Sequence, residues 1–234
     1  MLPDLRVLLA EVEADAGFDD YRTAVLDENV LGKRSLTSRQ RSLRYLRELY
    51  SLDLSQLTFR PLRDLWAIDP AGQPLLAILS AVSRDSTLRA TAEVVLPAQA
   101  GTHIASHDLE KAVEAAFPGA YSQSVANKIG RNTASSWTQS GHLDGRSYKT
   151  RTKAVATPGS AAYALMLAHL TGTRGHGLFE SVLARTLDAT SAELHALAGA
   201  ASARGWIEYK RFGDVIEVGF RWLLRDEESI LERN

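Results

Sequence analysis

Along most of the chain, apolar residues recur at helical rather than strand spacing. Leu5, Leu8, Leu9 and Val12 return every three or four positions, which predicts an amphipathic helix over residues 4–15, ending near Gly17. Asp19 or Asp20 can cap a second helix running to about Asn29. A short joint follows, Leu31-Gly32-Lys33-Arg34-Ser35, where Gly32 breaks the helix and Ser35 or Thr37 caps the next one. At about 100° per residue, Leu36, Leu43, Leu46 and Tyr50 fall on one side of that next helix and Arg41, Arg44 and Glu48 on the other. Helix, tight turn and basic helix form the outline of a helix-turn-helix.

Three further helices are expected over 60–67, 74–83 and 85–96, bounded by Pro61, the Asp69-Pro70-Ala71-Gly72 turn and Pro97. Residues 98–105 read as a loop, and 107–117 as a helix closed by Pro118-Gly119. From Ser122 a longer helix runs to about Ser140, with Val125, Ile129 and Trp137 as its inner face and Gln123, Asn127, Lys128, Arg131 and Ser135 as a polar, basic outer face. After an Asp144-Gly145 turn, Lys149, Arg151 and Lys153 alternate with Thr150 and Thr152, which puts three cations on one side of an extended strand. That succession is the order of a winged helix-turn-helix.

The final third repeats the order with different chemistry. Helices are expected over 160–170, 178–187 and 190–204, followed by two short strands around the Phe212-Gly213-Asp214 turn. The helix that would read DNA in this copy, 191–200, contains no cation, so this unit is expected to pack against protein. The fold expected is therefore mainly α: a helical bundle with a helix-turn-helix, then two winged-helix-like units with short β-hairpins. The regions are 1–70, 71–158 and 159–234.

Composition narrows the function. The chain is 45% apolar and 24% charged, an ordinary soluble balance, and it has no cysteine, which excludes disulfides, thiolate metal sites and cysteine nucleophiles and fits a reducing cytoplasm. The first residues lack a basic leader followed by a long apolar run, so no signal peptide is expected. The longest charge-free stretch, 154–173, is interrupted by Pro158, Gly159, His169 and Gly172, and no membrane span or membrane partner is expected. The formal net charge of −1 conceals two basic islands: residues 33–63 carry a balance of +6 and residues 121–153 one of +5, leaving −12 on the remainder.

A basic helix face alone is usually a solvated face. Two islands that each coincide with a helix-turn-helix outline point instead to duplex DNA, whose phosphates reward a row of Lys and Arg by counterion release. Lys33, Arg34, Arg39, Arg41, Arg44 and Arg47 supply the first set of candidate contacts, and Lys149, Arg151 and Lys153 a basic ribbon. In the long helix, Gln123, Asn127 and Arg131 can meet base edges while Ser122 and Lys128 hold phosphates. Base reading there competes with a plain amphipathic helix facing water.

Other chemistry finds little support. His103 and His107 are four apart beside Asp108, but the surrounding loop composition and the lack of a third ligand argue against a metal. The glycine-rich 172–177 segment lacks the lysine and spacing of a nucleotide-binding loop and reads as a turn. No catalytic motif is present, so neither enzymatic activity, cofactor nor small-molecule substrate is expected. Trp66, Trp137, Trp206 and Trp222 are expected as core anchors.

The segment Asn29-Val30-Leu31-Gly32-Lys33-Arg34-Ser35 with its arginine-rich helix to Leu46 resembles the start of the BrxA family of BREX phage-defence systems, and Lys128-Ile129-Gly130-Arg131-Asn132 followed by Gly141 and a basic ribbon is similar to that family's second helical motif. The similarity extends over about residues 21–220. It implies a small non-catalytic DNA-binding component acting beside other BREX subunits, with Lys33, Arg34, Arg39, Arg41, Arg44, Lys128 and Arg131 as phosphate contacts. The alternatives are a protein-protein adaptor within a defence complex and a transcriptional regulator of its own gene cluster.

Overall fold

The computed structural model describes residues 1–225, so residues 226–234 of the last expected region lie outside the described residues. The N-terminal part consists of α1 (Leu2–Glu11), α2 (Phe18–Leu26) and α3 (Leu36–Tyr50). It is followed by α4 (Phe59–Ile68), a 3-10 turn at Pro70–Gly72, α5 (Gln73–Arg84) and α6 (Ser86–Val95). The middle holds α7 (Ser106–Ala116), α8 (Gln123–Gln139), β1 (Leu143–Asp144) and β2 (Thr150–Arg151). The last part holds α9 (Pro158–Leu170), α10 (Gly177–Glu180), α11 (Val182–Arg185), α12 (Ser191–Ala203), β3 (Glu208–Phe212) and β4 (Val215–Gly219). The protein is mainly helical with two small two-stranded antiparallel sheets. Among the described residues no helix is long and apolar enough to cross a membrane.

Capping side chains set several of these starts by accepting from otherwise free N–H groups. Ser35 accepts from Ser38 N–H (3.2 Å), Asp85 from Thr87 and Leu88 N–H (2.8 and 3.2 Å), and Thr190 from Glu193 N–H (3.2 Å). The connection between α2 and α3 spans residues 27–35 and turns at Asn29 and Gly32, both at positive φ. It is longer than the tight joint expected, because α2 stops at Leu26.

Buried side chains from Leu2 to Leu224 form one continuous core. At its centre α9 is buried on every side from Gly159 to Ala168, between α4 and α5 on one flank and α11 and α12 on the other. Its start is anchored by Asp69, whose carboxylate accepts from Thr157 Oγ1 at 2.5 Å. A Cβ on Gly72 or Gly159 would fall 2.4 or 2.3 Å from that carboxylate, so both positions need glycine for close approach rather than for backbone freedom.

Several expectations change in the structure. The expected helix over 178–187 is two short helices broken at Ser181, whose extended backbone and hydroxyl cap α11 through Ala184 N–H (3.1 Å). The basic ribbon reduces to two residues per strand, with Leu143 opposite Arg151 and Asp144 opposite Thr150. Its other edge is taken by residues 101–104: Arg151 N–H donates to Thr102 O (2.8 Å) and Ile104 N–H to Lys149 O (3.0 Å).

The inner face of α8 lies one position later than expected, at Ala126, Gly130, Thr133, Ala134 and Trp137, while Val125 is exposed. The reason is close packing on α7, where a Cβ on Gly130 would sit 2.4 Å from Ser106 O. Leu36 is exposed because it belongs to the overhanging first turn of α3. Trp66 and Trp137 are core anchors, whereas Trp206 is half-buried under Arg204 and Trp222 is exposed.

Candidate nucleic-acid interface

The first basic island divides by burial. Arg60 and Arg63 are interior residues; Arg60 donates to Leu223 O (2.9 Å) and Arg63 to Val12 O (2.8 Å). Lys33 Nζ lies 2.8 Å from Asp4 Oδ1, and Arg39 donates to Leu26 O at 2.8 Å. Lys33, Arg39 and Arg63 thus tie α1, α2, α3 and α4 together, while Arg60 ties α4 to the backbone at Leu223. The exposed remainder is Arg34, Arg41, Arg44 and Arg47. Arg44 lies over the Tyr45 ring and 3.6 Å from Glu48, and Arg47 lies over Phe18. The Arg34 and Arg41 side chains have no hydrogen bond or ion pair among the described residues.

On α8, Lys128 and Arg131 are exposed and their side chains are likewise unpaired among the described residues. Ser122 is exposed at the helix start and its hydroxyl makes no cap. Gln123 and Asn127, expected at base edges, both donate to Glu110 Oε1; the Asn127 distance is 2.9 Å. Glu110 is only 2% exposed and also meets His107 Nδ1 at 3.2 Å. The sequence reading missed Glu110. The available signal was its phase: an acid one residue after Leu109 and three before Val113, on the stripe of α7 that turns inward.

The ribbon does not present three parallel cations. Arg151 is 4% exposed: its guanidinium pairs with both Asp188 oxygens (2.7 and 2.9 Å) and donates to Val95 O (2.8 Å). Burial pushes the Asp188 carboxyl up, but hydrogen bonds from Arg151 and Ala154 N–H outweigh it and hold the group below its ordinary value. Lys149 donates to Thr138 Oγ1 (2.8 Å) and Gly145 O (3.1 Å). Lys153 lies 3.0 Å from Glu193, whose carboxyl is held at about 2 by the Thr190 backbone and then by Lys153. The three cations therefore do not share one outward face: Arg151 is interior, Lys149 half-buried, and Lys153 exposed but paired with Glu193. Arg146, at the hairpin turn, is exposed and its side chain unpaired among the described residues, and Tyr148 stacks on His103 at 3.7 Å.

The two islands do meet in one place. A cleft of about 350 Å³ has α3 on one wall, through Tyr45, Glu48 and Leu49, and α8 on the other, through Ile129, Asn132 and Ser135, with the start of α6 at its floor. Arg41 lies one helical turn before Tyr45 and Lys128 one turn before Asn132, so each shares a helix face with a cleft residue, although no Lys or Arg lines the cleft itself. A separate apolar groove of about 670 Å³ runs between residues 153–156 and α12, lined by Val155, Ala196, Leu197 and Ala200.

Among the described residues no group of three or more His, Asp or Glu side chains is placed to hold a metal ion. Compared with known proteins, the chain matches no family model, no curated protein and no solved structure.

Proposed function

We propose that this protein is a non-catalytic, double-stranded-DNA-binding accessory protein of a BREX-type defence system, gripping the duplex mainly through its phosphates. The observation that carries the reading is that Arg41 of α3 and Lys128 of α8, exposed and unpaired among the described residues, each lie one helical turn from a residue of their own helix that lines the cleft between the two helices. The order of residues 101–104, α7, α8, β1 and β2, with 101–104 and β1 on opposite edges of β2, supports a winged-helix unit with α8 as its outward helix. The defence setting rests on the resemblance of the 29–46 and 128–132 motifs. Arg34, Arg41, Arg44, Lys128 and Arg131 are the contacts proposed, and Arg146 replaces Lys149, Arg151 and Lys153 at the hairpin.

The test is duplex binding across a salt series. Log affinity falls by about 0.9 per phosphate neutralised for each unit of log salt. Lys128→Ala with Arg131→Ala lowers that slope by about 2, while Lys153→Ala, in an ion pair with Glu193, leaves it unchanged. A salt-independent signal, or equal slopes for wild type and the double variant, overturns the reading.

The apolar groove beside α12 favours a second reading, a protein-protein adaptor, for the C-terminal unit; the exposed Phe212 and Val215 at the tip of the β3–β4 hairpin point the same way. Co-purification of partner proteins that survives nuclease, with no duplex retained, would select it.

A further inference from the structure

The hydrogen-bond inventory of Asn127 restricts what this side chain can offer a ligand. Its amide has two hydrogens. One is donated to Glu110 Oε1 at 2.9 Å and the other to the main-chain carbonyl of Gln123 at 3.1 Å. Oδ1, an acceptor, is all that remains. Gln123 gives one of its own amide hydrogens to the same Glu110 oxygen and keeps the other, together with Oε1. Glu110 is buried, and an ionised carboxylate only accepts, so it needs these donors turned inward to stay buried. The helix contact that enforces this is tight, since Gly130 brings α8 against the backbone of Ser106 and Glu110.

We propose that Glu110 is a specificity-determining positioning residue: by taking one Asn127 amide hydrogen while the Gln123 carbonyl takes the other, it leaves Asn127 an acceptor-only contact. The bases selected by Asn127 are then those that present an exocyclic amino group in the major groove, cytosine N4 or adenine N6. Adenine read through N6 and N7 together, the usual asparagine pairing, is unavailable to Asn127. This inference rests on the reading that α8 faces duplex DNA.

The experiment uses the full chain and duplexes of one mixed sequence in three forms: unmodified, with 7-deazaadenine for adenine, and with purine for adenine and 2-pyrimidinone for cytosine. The first substitution removes N7 and keeps the amino groups; the second removes the amino groups. Wild-type Kd is unchanged by the first and rises about fivefold with the second, the weight of one neutral hydrogen bond. Glu110→Ala frees one amide hydrogen of Asn127 and makes binding sensitive to loss of N7. Should that variant fail to fold, Asn127→Ala serves: it keeps the salt dependence and loses the response to missing amino groups. Wild-type sensitivity to 7-deazaadenine that disappears in Asn127→Ala, or binding that ignores the missing amino groups, overturns the inference while leaving DNA binding intact. Failure to bind any duplex overturns the underlying reading and this inference with it.

Discussion

Replacing Arg151 with methionine keeps most of the stem volume and removes the guanidinium. Asp188 would then keep only the Ala154 N–H, and the Val95 carbonyl would lose its donor. Breaking a buried ion pair from one side costs about 3–5 kcal/mol. The Asp188 side chain is 18% exposed, so water reaches it and the lower end, about 3 kcal/mol, applies. The orphaned carbonyl adds about 1 kcal/mol. A total near 4 kcal/mol is a large part of the roughly 5–15 kcal/mol that stabilises a folded protein, and at this chain length it lowers Tm by about 8–16 °C. The assay is urea and thermal unfolding followed by circular dichroism for wild type, R151M, D188N and the double variant. The cycle should show coupling of about 2 kcal/mol. K153M serves as a control and should change stability by less than about 0.5 kcal/mol, because the Lys153–Glu193 pair is solvent-exposed. An R151M protein as stable as wild type, or no coupling to Asp188, would refute the argument that Arg151 is a structural clip. Reversing the charge of the whole ribbon is therefore no measure of DNA contact, since the fold would fail first.

Buried His142 donates Nε2–H to Thr186 O (2.9 Å) and has Nδ1 2.8 Å from Ser140 Oγ, and burial lowers its pKa to about 4 against the opposing pull of Asp188. The unfolded chain therefore binds more protons than the folded one between about pH 6.5 and pH 4. Stability is full above that window and falls through it by about 3 kcal/mol; His142→Gln should flatten the loss, and an unchanged pH profile in that variant would contradict the assignment. Gly130→Ala should destabilise by about 1–3 kcal/mol through overpacking against Ser106 and Glu110, whereas Gly199→Ala on α12, where an added Cβ meets nothing within 4 Å, should stabilise by about 0.5–1 kcal/mol. Unfolding midpoints of the two variants moving in the same direction would show that the space around these glycines is misjudged.

Helices were legible where apolar spacing and capping residues agreed. The expected 85–96 and 107–117 segments lie within one residue of α6 and α7 at each end, because Asp85 and Asp108 mark the starts and Pro97 and Pro118 the stops. The long helix was found, but its inward face was misplaced because small residues, Ala126 and Gly130, make the contact instead of the larger Val125. Burial of cations left no trace in the text. Arg34 and Arg151 are equally basic as letters, and only the three-dimensional position of Asp188, thirty-seven residues away, separates an exposed charge from an interior one. For the same reason the cleft between α3 and α8 could be framed only as two islands, and Glu110, which holds Gln123 and Asn127, went unnoticed.

The sheathing of α9 carries a consequence for biosynthesis. The apolar faces of α4 and α5 pack against a helix that does not end until Leu170, so a nascent chain leaving the ribosome cannot close its interior before that point. Until then, Leu75, Leu76 and Leu79 await a cover that has yet to be translated, and a premature stop in the connection ahead of α9 would yield a polypeptide fit for proteolysis rather than a smaller working fragment.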